Sequence, residues 1–163
     1  MTDFERLVKS LIGKQCWGVI AGSGSGSMVN LSIGKKVKRV KASKNPNLSF
    51  DEANYKGEYS LFVQNCAWRL WSTDGQVVCS SKSDNTLGGE MLNGLKHIRG
   101  LKIVGLKIHE HSFDLEVFFE NNLILSLFCD CMDGEEHGDN YCIFLPSMTI
   151  AIEAKSVVKI ENR

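Results

Sequence analysis

The chain opens on a helical period and then changes to a period of two. Phe4, Leu7, Val8 and Leu11 fall at i, i+3, i+4 and i+7, and Thr2 precedes Glu5 at capping-box spacing. A short amphipathic helix ending near Gly13 is expected. Cys16 to Ala21 then reads as a strand, and Gly22-Ser23-Gly24-Ser25-Gly26-Ser27 leads into a second apolar segment, Met28 to Ile33. Residues 34 to 56 are the least core-like part, with a turn at Asn45-Pro46-Asn47. Alternation returns at Tyr59-Leu61-Val63 and Trp68-Leu70, and Thr73-Asp74-Gly75-Gln76 predicts a hairpin into Val77-Val78-Cys79. Leu87 to Ile98 is a candidate helix, weakened by Gly88, Gly89 and Gly94.

The clearest alternation lies further on. Phe113, Leu115, Val117 and Phe119 alternate with Asp114, Glu116 and Glu120, apart from Phe118. Leu123, Leu125 and Leu127 repeat the period after an Asn121-Asn122 turn. With Leu101 to His109 ahead of them, these segments predict a three-stranded antiparallel meander. Tyr141-Ile143-Leu145, Ile150-Ile152 and Val158-Ile160 supply further strands. The expected architecture is one α+β domain over residues 1–163. It is a curved antiparallel β-sheet or open barrel with an N-terminal helix and room for one further short helix.

Composition narrows the class. Apolar residues make up 43% and charged residues 23%, which suits a packed core. The 19 basic and 19 acidic side chains cancel, which argues against an extended nucleic-acid surface. Met1-Thr2-Asp3-Phe4-Glu5 is not a secretory signal, and no apolar stretch reaches the length of a membrane span. Six cysteines, several inside apolar runs, therefore suit reduced core thiols in a cytoplasmic protein with no membrane association.

Four features invite chemistry. The Gly22–Ser27 run has neither the lysine of a phosphate loop nor a helix after it, so it reads as a strand connection before an anion-binding nest. His109, His111, Cys129 and Cys131 pair at spacings of two, and the meander register brings Cys131 toward His111. Such ligands suit zinc, with His137 a further candidate, but the register separates His109 from Cys129, and core thiols with surface histidines are the plainer reading. Asp130, Asp133, Glu135, Glu136 and Asp139 form an acidic loop that fails the calcium-loop spacing, read as a solvated charged loop before a recognition surface for a basic partner. Lys35, Lys36, Lys38, Arg39, Lys41 and Lys44 form a basic segment without interleaved aromatics, read as a solvated edge strand before a single-stranded nucleic-acid or membrane contact. Trp68 and Trp71 differ by an odd number, so one is expected in the core and the other outside.

The chain also resembles an uncharacterised family of small bacterial cytosolic proteins. The resemblance rests on Gly18, Gly24-Ser25-Gly26-Ser27-Met28, Gly34, Gly57-Glu58-Tyr59-Ser60-Leu61-Phe62-Val63, Cys66-Ala67-Trp68-Arg69, Asp114-Leu115 and Asp139-Asn140-Tyr141. It implies no catalytic residue and no cofactor. Proteins of this size and style are often immunity partners of bacterial toxins. The leading expectation is thus a small non-enzymatic protein-binding protein with the acidic loop as its contact surface. A metal-binding protein or metal-dependent enzyme using the His/Cys group is the first alternative. A small-ligand-binding β-barrel lined by Phe113, Val117, Leu125 and Trp68 is the second.

Overall fold

Thr2 starts the first helix in the manner its spacing predicts. Its hydroxyl accepts the Glu5 N–H, and the Glu5 carboxylate accepts the Thr2 N–H, so α1 (Asp3–Lys9) begins with two otherwise orphaned donors satisfied. Phe4 and Val8 leave one side of α1 and are buried, and the Phe4 ring meets Phe113 edge-on with centroids 5.4 Å apart.

The computed structural model describes residues 1–134 and 138–163. After α1 come β1 (Cys16–Ala21), β2 (Val29–Lys38), α2 (Phe50–Asn54), β3 (Tyr55–Val63), β4 (Ala67–Ser72), β5 (Val77–Ser80) and α3 (Glu90–Leu95). A 3-10 turn (Lys96–Ile98) then leads to β6 (Ile103–Ile108), β7 (Leu115–Phe119), β8 (Leu123–Phe128), β9 (Tyr141–Phe144), β10 (Met148–Glu153) and β11 (Val157–Asn162). The strands form two antiparallel sheets, in the orders β1-β2-β3-β9-β10-β11 and β5-β4-β8-β7-β6. The fold is therefore α+β, and its strands are shared between two sheets that do not close into a barrel.

The expected meander is β6-β7-β8, with Leu115 opposite Leu127 and Val117 opposite Leu125. Its second turn places both Asn121 and Asn122 at φ 60°, the left-handed region that asparagine tolerates better than most residues. Leu31, Ile33, Leu61 and Val63 from one sheet share a continuous core with Trp68, Leu70, Val117 and Leu125 from the other. Phe113 packs at its rim. No helix among the described residues is long and apolar enough to cross a membrane.

The stretch from 34 to 56 contributes more than its polarity suggests. Its α2 begins with a second capping box, in which Ser49 and Glu52 exchange backbone hydrogen bonds. The Glu52 side chain is 3% exposed and reaches the outer edge of β1. There the Val19 N–H donates to Glu52 Oε1 at 3.2 Å, and Arg99 Nη2 donates to the Val19 carbonyl at 3.0 Å. Arg99 Nη2 also lies 2.7 Å from Glu52 Oε1, which closes the ring. Gly18 makes room for α2, since a Cβ there would lie 3.2 Å from Ser32 Cβ and 3.5 Å from Glu52 Cγ. Before this clamp, the β1 edge is held by backbone. The Cys16 N–H donates to the Leu101 carbonyl, the Gly100 N–H donates to the Cys16 carbonyl, and Gln15 bridges Lys102. These contacts join the two sheets at one corner.

The basic segment splits. Lys36 to Lys38 extend β2 past the end of β1 and pair only with β3, leaving an exposed edge that carries lysines. The bulge before it depends on Gly57, where a Cβ would lie 2.2 Å from the Tyr59 carbonyl oxygen and 2.5 Å from the Ile33 nitrogen.

Replacing Glu52 tests the clamp. Glu52→Ala strands the Val19 and Ser49 N–H groups and leaves Arg99 without its carboxylate. Equilibrium urea unfolding is expected to show a loss of about 3 kcal/mol, and Glu52→Gln a smaller loss of about 1–2 kcal/mol. An unchanged midpoint for Glu52→Ala would show that the edge closes without it.

Candidate functional site

Strand parity divides Trp68 from Trp71 as expected. Trp68 and Leu70 enter the core, at 1% and 0% exposure, so Arg69 and Trp71 stand on the outer face of the five-stranded sheet. On β8 the buried Leu125 and Leu127 leave Ile124, Ser126 and Phe128 facing outward. On β7 the same alternation turns out Glu116 and Phe118. Register then sets these side chains in rows. Trp71, Ile124, Phe118 and Gly105 lie abreast, followed by Arg69, Ser126, Glu116 and Lys107, and Ala67 lies opposite Phe128.

The rows support one another. The Trp71 indole N–H donates to Ser126 Oγ at 2.8 Å, which fixes the ring plane. The Arg69 guanidinium lies 5.8 Å from the Trp71 centroid and 5.6 Å from the Phe128 centroid, within cation–π range of both. Ile124 is 4% exposed although it faces outward, because Trp71 and Phe118 flank it. Phe128 remains exposed. Tryptophan, phenylalanine and arginine are enriched at protein interfaces because they bury large area with few rotors or a rigid polar fork.

The acidic loop begins at the edge of this face. Asp130 Oδ1 accepts the Ala67 N–H at 3.1 Å. The next residue, Cys131, donates its N–H to Asn140 Oδ1 and accepts the Lys155 N–H. Asn140 is fully buried and uses all its polar groups. Its Nδ2 donates to the Glu153 carbonyl, its N–H donates to the Ile152 carbonyl, and its own carbonyl accepts the Gln64 N–H. Asp139 receives the Cys142 thiol at 3.2 Å and donates its N–H to Gln64 Oε1. The first end of the loop is thus pinned to β4 and to the turn after β10, and the second to the residue after β3, to β9 and to β10. Asp130, Asp133 and the 68% exposed Met132 stand outside. Glu135, Glu136 and His137 lie outside the described residues.

The histidines and cysteines are distributed rather than gathered. His109 Nε2 lies 3.4 Å from Glu116 Oε2, and His111 occupies an exposed turn at φ 72°. Cys129 turns inward, its thiol 3.4 Å from the Phe113 carbonyl and its N–H donating to Asp114 Oδ1. The Cys131 thiol approaches the Asp133 and Gly138 carbonyls at 3.7 and 3.6 Å. Among the described residues no three His, Cys, Asp or Glu side chains are placed to hold a metal ion. Burial pushes the Cys129 thiol up to about 12, with the carboxylates of Asp114 and Asp130 adding to it. Burial does the same to Cys16, Cys79 and Cys142, each to about 12, and raises Cys66 further. Thiolate is the form that binds metal or attacks, and these side chains withhold it at neutral pH.

The glycine-rich run is the tight connection between β1 and β2. Gly24 and Gly26 take φ of 89° and 60°. Asn85 Nδ2 donates to the Gly26 carbonyl at 2.9 Å, and the Trp68 indole donates to the Ser27 carbonyl at 2.7 Å. Two groups of consequence were not anticipated from sequence, the Glu52 clamp and the Asn140 hub.

The thiols supply a direct test. Native protein at pH 8 is expected to leave Cys16, Cys66, Cys79, Cys129 and Cys142 unmodified by iodoacetamide over minutes, with all six cysteines reacting in urea. Because folding raises these values, their stabilisation is complete below about pH 8.5 and is lost as pH climbs toward 12. The urea midpoint should therefore fall above pH 9. Rapid native alkylation of Cys129 would contradict its packing against Phe113.

No family model, no curated protein and no solved structure matches this chain.

Proposed function

We propose that the chain is a non-enzymatic protein-binding protein, an immunity protein that neutralises a bacterial toxin by covering a basic surface on it. The observation that carries this reading is the row of Trp71, Ile124 and Phe118 beside the Arg69–Phe128 stack, with the pinned acidic loop at its edge. A rigid aromatic patch supplies the apolar area that association requires, and its neighbours hold each side chain before any partner arrives. Asp130 supplies negative charge next to that patch through Ala67, and Asp133 and Asp139 carry the charge further along the loop. A basic partner would be steered by these charges and anchored by the rings. Met132 adds a pliable apolar contact between Asp130 and Asp133.

In-cell photo-crosslinking in the native host, from benzoylphenylalanine at position 71, tests the face. One polypeptide should crosslink there and not from position 9 on α1. With that partner purified, Trp71→Ala is expected to weaken binding by about 2 kcal/mol, roughly thirtyfold in Kd. Asp130→Asn with Asp133→Asn and Asp139→Asn should flatten the salt dependence without lowering Tm by more than a few degrees. The partner alone should arrest growth, and co-expression of the wild-type chain should restore it. Affinity that ignores Trp71 would remove this face from the proposal, and a partner harmless on its own would remove the immunity role.

A further inference from the structure

The outer face of the other sheet carries a different kind of surface. A groove of about 380 Å³ runs across β2, β3 and β9, lined by Asn30, Val37, Ser60 and Phe144 together with Arg39, Lys56, Glu58 and Arg163. That volume is in the range of small-molecule sites. We infer that this groove binds a small phosphorylated compound, with the cations taking the phosphate and Phe144 supplying the apolar wall.

Charge is the first ground. Three cations and one carboxylate line the groove, and none of Arg39, Lys56 and Arg163 has an ion-pair partner among the described residues. Glu58 Oε2 accepts the Lys35 N–H at 3.1 Å, which orients the carboxylate but keeps its charge in the groove, so the lining is cationic by three charges against one. Preorganisation is the second ground. Arg39 Nε donates to the Glu52 carbonyl at 3.3 Å, and the Arg163 guanidinium lies 5.3 Å from the Phe144 centroid while Nη1 donates to the Leu145 carbonyl at 3.5 Å. Both forks therefore keep further N–H donors for a ligand, and guanidinium matches phosphate oxygens in pairs. Lys56 stands directly across from Val37 and supplies a mobile third charge.

The floor is the third ground. Ser60 Oγ donates to Asn30 Oδ1 at 2.6 Å, which orients the amide and leaves the Asn30 Nδ2 hydrogens as donors. A phosphate seated here meets donors from β2 (Asn30), β3 (Lys56), the segment after β2 (Arg39) and the residue after β11 (Arg163). Lys38 and Lys41 flank Arg39 in the chain and add positive field that draws anions toward the groove, whereas Lys36 is taken up by Asp51. The basic segment has no aromatic of its own, and β9 brings Phe144 to it across the sheet.

Isothermal titration at low salt with pyrophosphate, AMP and ADP tests the inference on the intact chain. Saturable binding of pyrophosphate or ADP is expected, weakened at least tenfold by Lys56→Gln with Arg163→Gln and unchanged by Lys9→Gln on α1. Circular dichroism melting confirms that the double variant is folded. If it is not, each single variant should weaken binding at least threefold. ADP binding more tightly than pyrophosphate, with the difference lost in Phe144→Ala, would identify a ring-bearing ligand such as a nucleotide. Equal affinity would identify the phosphate group alone. Absence of saturable binding at millimolar ligand, or binding indifferent to the rim substitutions, would overturn the assignment.

Discussion

An edge strand next to a buried core must satisfy its outer backbone groups, and in this chain that constraint falls on Val19. Its N–H and carbonyl would otherwise face α3 and the 3-10 turn with no strand to pair with, a costly position for unpaired polar groups. Glu52 and Arg99 meet both groups with side chains, and their own ion pair closes the ring. One carboxylate thus serves a strand edge, a helix cap and a guanidinium at once. Removing Arg99 would leave the Glu52 carboxylate, 3% exposed, without its counter-ion, whereas removing Glu52 strands the Val19 and Ser49 N–H groups while Arg99, 39% exposed, still reaches solvent. Along the same edge the backbone of residues 100 to 102 pairs with residues 15 and 16. The corner where the two sheets meet therefore depends on β1 being closed along its length.

With the corner fixed, the strand period of two decides everything that faces outward. Each core residue dictates that its neighbours point away, so Leu70 and Leu125 between them place Arg69, Trp71, Ile124 and Ser126 on one surface. Leu61 and Ile143 likewise place Ser60 and Phe144 on another. A slip of one residue in either sheet would exchange core and surface entirely. The two outward faces are thus as strongly specified as the core, although neither is itself a core.

This explains which parts could be read from sequence. The helix at Thr2, the β1 boundaries, the hairpin at Gly75 and the meander through Asn121-Asn122 are local patterns, each visible within a dozen residues. The opposition of Trp68 and Trp71 follows from parity alone. The Glu52 clamp does not, because its partners lie 33 residues away at Val19 and beyond α3 at Arg99. Ser49 and Glu52 do carry capping-box spacing, and that signal was available within a stretch that the lysines and Pro46 marked as loop. Asn140 was hidden differently. A fully buried asparagine looks like any turn residue until its partners are known, and those come from Gln64 and Asn65 after β3, from β10 and from the loop it holds. The His/Cys group illustrates the converse, since a spacing of two aligns side chains on one strand without bringing different strands' ligands to a common point.

Net charge says less about the folded surface than the placement of the charges does. The totals of 19 and 19 cancel in the sequence, and cancellation argues against anionic partners only while the charges are mixed. The fold unmixes them along β3. At its Val63 end lie Gln64 and Asn65, which hold Asp139 and Asn140. At its Lys56 end lie Arg39, Arg163 and the exposed lysines of β2. Within a few ångströms of either end, a ligand meets the local charge, because the opposite end lies beyond a Debye length of about 8 Å at physiological salt. A strand of nine residues spans roughly 30 Å, so the screening argument holds with room to spare. The cationic groove and the loop that carries Asp139 therefore lie toward opposite ends of β3, and formal neutrality describes neither.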